Sequence, residues 1–127
     1  MSKAKLTGKM KRIRVEVTSS EAAARLLMRA WRAAEKGEAV EPVIGVGSIE
    51  ELTALLSPKR MALLRYVAEH PGLSVRALAG GLERDYKNVH TDVTDLEAQH
   101  LLERDERGRV SAPYDEIVIR APLRKAA

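Results

Sequence analysis

Between Leu82 and Asp105 the chain reads LERDYKNVHTDVTDLEAQHLLERD, and within it Lys87, Asn88, His90 and Thr91 gather ammonium, amide, imidazole and hydroxyl heads into one short run. Such heads suit base edges in the major groove of DNA: Lys donates to guanine, Asn pairs with adenine through two bonds, and Thr presents a hydroxyl and a methyl. On a helix turning about 100° per residue, Tyr86, Val89, Val93 and Leu96 fall in one sector narrower than a third of the circumference. Lys87, Asn88, Thr91, Thr94 and Asp95 lie opposite, with His90 and Asp92 on the flanks. One side is expected to pack and the other to read. Arg84, just ahead of the helix, is expected to flank the groove, and the free amides at the helix start add an anion-binding end. The same pattern also suits a plain solvated helix, so the neighbouring elements decide.

Those neighbours favour reading. Ser57 and Pro58 open a helix that stops at His70-Pro71-Gly72; Ser74 caps VRALAGGL, expected to end at Gly80-Gly81; Asp85 caps the third helix, Tyr86 to about His100. Three helices, the middle one short and followed by a tight turn, are the plan of a helix-turn-helix. LLERDERGRVSAPYDEIVIRAPL then reads as a hairpin about Glu106-Arg107-Gly108 and a strand from Glu116 to Arg120. Beside a reading helix, Arg107 and Arg109 would reach phosphate or the minor groove, and Ser74 and Arg76 would hold phosphate from the second helix. Arg104, flanked by Glu103, Asp105 and Glu106, is less suited.

The first half is expected to run strand, helix, strand, helix. RIRVEV alternates Ile13, Val15 and Val17 with charges; Ser19 or Ser20 caps a helix running to about Lys36 and ending at Gly37. Leu27, Ala30, Trp31 and Ala34 form its expected apolar seam, with Trp31 buried. PVIGVG reads as a strand and SIEELTALL as a short helix with a capping box of Ser48 and Glu51. Charge is segregated: Lys3, Lys5, Lys9, Lys11, Arg12 and Arg14 precede any acid, whereas residues 37–57 carry Glu38, Glu41, Glu50 and Glu51 and no Lys or Arg. Arg25, Arg29, Arg32 and Lys36 recur on one helical face, either as a solvated stripe or as contacts to phosphate or to the acidic region of a second copy. Lys9, Lys11, Arg12, Arg25, Arg29 and Arg32 are thus candidate phosphate or partner contacts.

Composition removes several classes. With 127 residues, no Phe, one Trp and three Tyr, there is no row of aromatic platforms for stacking single strands. No cysteine means no disulfide, thiolate zinc site or cysteine nucleophile, and no apolar run approaches a membrane span of about 18 residues. His70, His90 and His100 are isolated, so no metal and no cofactor is expected. A lone Gly45-Val46-Gly47, no nucleophile elbow and no paired carboxylates argue against an enzyme. A cytoplasmic setting is expected.

The spacing Leu78-Ala79, Val89, Val93, Leu96, then EAQHLLERD leading to ERGR, resembles the winged helix-turn-helix of MarR-like prokaryotic transcriptional regulators. Leu56 to Ile119 is similar to a family of archaeal and bacterial winged-helix proteins regarded as DNA-binding regulators, some encoded as antitoxins beside a small toxin. Gly80-Gly81 departs from it, replacing bulkier residues usual at the end of the second helix. The expectation is an α+β chain: a basic arm over 1–11, a strand-helix-strand-helix region over 12–56 for dimerisation or partner binding, a winged helix-turn-helix over 57–120, and a tail over 121–127. It would act as a homodimeric, sequence-specific regulator of double-stranded DNA, a repressor or, as the resemblance implies, an autoregulating antitoxin with a cognate toxin. The alternatives are a winged helix used only for protein interaction, or a nonspecific chromatin-like DNA binder.

Overall fold

The computed structural model describes residues 10–124, which form two compact units, one from the chain up to Ala54 and from Glu116 onward, the other from Leu55 to Asp115. Among the described residues the fold is α+β, with five helices, a three-stranded parallel sheet and a two-stranded antiparallel one. None of those helices is long and apolar enough to cross a membrane. Lys9 and most of the expected arm over 1–11 lie outside the described residues.

In the first unit β1 (Arg12–Val17) is central, with β2 (Val43–Val46) and β5 (Glu116–Arg120) parallel on its two sides. Parallel neighbours need a crossover, and α1 (Ser20–Glu35) supplies it between β1 and β2. The Ser19 hydroxyl accepts the Ala22 amide at 3.1 Å, which settles the cap in favour of Ser19. Gly37, at φ 74°, turns the chain out of the helix, as only a residue tolerant of the left-handed region does cheaply. Two ion pairs between residues in register pin β5 to β1: Arg12 with Glu116 and Glu16 with Arg120, each at 2.7 Å. A slip of one residue would break both. Between them Ile13 and Val15 are buried, and so is Glu16, whose other oxygen lies 3.1 Å from Arg14 Nε.

Helix α1 lies over the sheet face that carries Glu16, since Gly45, in register with Glu16, has Thr18 and Ala23 where its side chain would be. Its partly covered residues are Ala22, Ala23, Leu26, Ala30 and Ala33. The expected seam of Leu27, Ala30, Trp31 and Ala34 is therefore corrected: Leu27 is 68% and Trp31 64% exposed. Small side chains permit close approach to the sheet, so the alanine-rich arc packs and the bulky arc is left outside. The short helix α2 (Ile49–Leu55) is capped by Ser48, while the Glu51 carboxylate accepts from Gly47 N–H, one residue earlier than a standard capping box.

The second unit contains α3 (Pro58–Glu69), α4 (Val75–Leu82) and α5 (Tyr86–Ala98), followed by the hairpin β3 (Glu103–Arg104) and β4 (Val110–Ser111). Ser57, Ser74 and Asp85 cap the three helices through their side chains. Leu63, Val67, Leu78, Val89, Val93, Leu96, Leu102 and Val110 form a fully buried aliphatic core. Val110 also bridges to Leu73 in the α3–α4 loop, which ties the hairpin to the helices.

Two expectations change here. Gly80 and Gly81 do not end the second helix; it runs to Leu82 and closes at Glu83 (φ 55°), with Arg84 N–H donating to Ala79 O and Glu83 N–H to Gly80 O. Gly81 instead makes room, because a side chain there would collide with the ring and hydroxyl of Tyr66, itself stacked on His70 at 4.2 Å. The strand Glu116–Arg120 forms, but in the first unit's sheet rather than with the segment 57–120. The two-residue strands of the hairpin offer it little, whereas β1 offers a long edge with complementary charges.

Candidate nucleic-acid interface

Helix α5 is set in rotation by Val89, Val93 and Leu96, all fully buried, and in position by its Asp85 cap. Lys87, Asn88, His90 and Thr91 are consequently exposed. The side chains of Lys87, Asn88 and Thr91 make no hydrogen bond or ion pair among the described residues, so three polar heads of different chemistry stand ready on the first two turns.

The acids on the same helix are engaged elsewhere. Asp92 accepts from Arg60 Nε at 2.9 Å and from Arg84 Nη2 at 2.7 Å, and Asp95 accepts from Arg60 Nη2 at 2.5 Å. Burial alone would lower the Arg60 pKa, but hydrogen bonds to Asp92 and Asp95 and their charges outweigh it and raise the pKa above the ordinary guanidinium value. This clasp joins α3, the α4–α5 turn and α5. It also corrects the expected role of Arg84: its side chain is 18% exposed, turned onto Asp92, with Nη1 buried and without a hydrogen-bond partner. Arg84 positions the helix and offers no free cation to a groove.

Tyr86, expected in the packing sector, is instead 38% exposed, with the Arg76 guanidinium 4.5 Å above its ring and the His90 ring 5.9 Å away. Arg76, Tyr86 and His90 form a row across α4 and α5 that spacing within one helix could not reveal. The available signal was a tyrosine at the first helical position, where the core has not yet closed over the helix.

Of the other expected contacts, Ser74 is exposed and occupied as the α4 cap. At the hairpin tip Asp105 accepts from the Arg107 and Arg109 amides, both at 2.9 Å, and Gly108 takes φ 78°. Arg109 Nη1 donates to Gly72 O at 2.9 Å, so one of its donors is committed to the fold; the Arg107 guanidinium is exposed and has no partner among the described residues. Arg104 is bound to Glu97. Lys11, Arg12, Arg25, Arg29 and Arg32 belong to the other unit; all are exposed, and Arg12 is paired with Glu116.

From Leu55 to Asp115 nine Lys and Arg stand against ten Asp and Glu, a formal charge of −1. The chain's +4 therefore resides as +5 in the first unit. Among the described residues no three His, Asp or Glu side chains converge as a metal site. The sequence model of one protein family, HVO_A0114, matches residues 55–119. No curated protein and no solved structure matches the chain.

Proposed function

The chain belongs to the HVO_A0114 family, and for the segment that carries this membership we propose sequence-specific binding of double-stranded DNA through a winged helix-turn-helix, with promoter occlusion as its regulatory effect. The observation that carries the reading is the set of unpartnered Lys87, Asn88 and Thr91 heads on the first half of a helix whose other faces are committed to core and clasp. In a groove, Lys87 and Asn88 would address base edges, and Arg107 at the hairpin tip would hold backbone phosphate. The row Arg76–Tyr86–His90 would border the same helix start. The bridge from Leu73 to Val110 supports reading the hairpin as a wing.

The −1 charge of this unit favours a second reading, a winged helix that binds another protein, because most DNA-binding domains carry a basic excess. Fluorescence anisotropy with the fragment upstream of the chain's own gene and with random duplex, each at several salt concentrations, separates the two. Preference for the upstream fragment, relaxed by Asn88→Ala or Lys87→Ala, is expected. Binding to neither duplex would favour the protein-binding reading, and equal, salt-dependent binding to both would favour a nonspecific DNA binder.

A further inference from the structure

Helix α1 has no buried residue, and its sheet-facing side is the small one. On its outer side Leu27, Met28 and Trp31 are 68%, 50% and 64% exposed, and Ala24 beside them is exposed too. Three large apolar side chains on one turn and a half of a solvent-facing helix are a docking surface rather than scattered exposure. We propose that this face is the interface of a homodimer in which α1 packs antiparallel against α1 of a second copy.

The spacing of the face selects that occupant. Ser20, Ala24, Leu27, Met28, Trp31 and Glu35 share one stripe, and their positions are symmetric about the midpoint between Leu27 and Met28. A two-fold axis through that midpoint sets Trp31 of each copy against Ala24 of the other, large into small, and Leu27 against Met28. The stripe is thus its own antiparallel complement, as an isologous contact requires.

Charge agrees with the same register. In an antiparallel pair related this way, equivalent flanks of the two helices lie side by side. Glu21 of one copy then stands at the level between Arg32 and Lys36 of the other, on the same flank, while Glu35 meets the amino end of the facing helix, where a negative charge is favoured. Trp31 is also held in place before association, its indole Nε1 donating to Glu35 Oε2 at 3.1 Å, so less side-chain freedom is lost on binding.

The chain has no cysteine, which permits a direct test of the register. With a rise of about 1.5 Å per residue, the two copies of residue 27, or of residue 28, sit about 1.5 Å apart along the axis, whereas two copies of residue 34 are about 20 Å apart. Full-length protein should sediment as a dimer across a concentration series. Trp31→Ala should raise the dissociation constant by about thirtyfold or more, the loss of a central aromatic anchor. Under mild oxidation Leu27→Cys or Met28→Cys should give a covalent dimer and Ala34→Cys should not. Glu21→Lys should weaken the dimer, and Arg32→Glu with Lys36→Glu in the same chain should restore it. A wild-type chain monomeric at every concentration, or equal cross-linking at positions 27 and 34, would overturn the proposal. So would a monomer that binds vesicles of anionic lipid through Trp31, which would assign the face to a membrane surface instead. All of these readouts are independent of DNA binding.

Discussion

Replacing Asp92 by alanine gives a sharp test of how the candidate interface is held. Asp92 is itself largely covered and accepts from two guanidinium groups that are also mostly covered, Arg60 and Arg84, at 15% and 18% side-chain exposure. Removing it breaks two charge-assisted hydrogen bonds, each worth about 1.5–3 kcal/mol, and strands Arg84 with no remaining partner. Arg60 retains Asp95, and both arginines can swing toward water, so the full cost of an orphaned buried charge is not reached. A loss of about 3 kcal/mol is expected, on the order of 10 °C in Tm for a chain of this size. The assay is thermal melting by circular dichroism, paired with DNA binding to random duplex. Because Asp92→Ala frees a cation beside α5, nonspecific affinity for DNA should rise on the proposed reading while stability falls. Arg84→Ala should lower stability and leave the salt dependence of DNA binding unchanged. An Arg84→Ala protein that melts like wild type but loses DNA affinity would refute the reasoning and return Arg84 to the groove.

Gly81→Ala should destabilise the chain by about 1–3 kcal/mol, as overpacking does, because the added methyl enters the Tyr66 ring; a melting temperature equal to wild type would show that Tyr66 moves aside freely. In the first unit, Glu16→Gln should cost more than Glu116→Gln, about 1–3 against less than about 1 kcal/mol, because Glu16 is buried between Arg14 and Arg120 whereas the Arg12–Glu116 pair is half exposed. Urea titration of both variants decides it, and equal losses would mean that the buried carboxylate is not what holds β5.

What could be read in advance was whatever the chain writes locally. Ser57, Ser74 and Asp85 announce their helices because a cap needs only its own side chain and an amide three residues on. Val89, Val93 and Leu96 repeat at helical spacing, and the structure buries all three. What escaped was decided by distant partners. The partner of Glu116–Arg120 lies about a hundred residues earlier in β1, so its local pattern shows a strand without showing where it goes. Arg84 looks like a free cation until α5 brings Asp92 to it, and Tyr86 looks like a core residue until α4 brings Arg76. Trp31 misled for another reason: α1 has two apolar arcs, and hydrophobic bulk alone does not tell which one a small sheet with Gly45 at its surface will accept.

The charge of the second unit sets a quantitative limit on the proposed DNA binding. Three of its nine cations, Arg60, Arg84 and Arg104, are bound to acids of α5. On the side formed by α4, the start of α5 and the hairpin tip, the cations left to meet phosphate are Arg76, Lys87, Arg107 and Arg109, and Lys87 is wanted for a base. Four phosphate contacts at most give a slope of log affinity against log salt of about −3.6 per bound chain. On the proposed reading, a unit this weakly charged would gain little from random duplex, so discrimination would rest on base contacts rather than on general attraction. Slopes near −3 to −4 per bound chain on the preferred fragment, falling by about 1 per chain in Arg107→Ala, are expected. A slope steeper than about −6 per bound chain would mean that cations outside Leu55–Asp115, among them those of the +5 first unit, also release counterions.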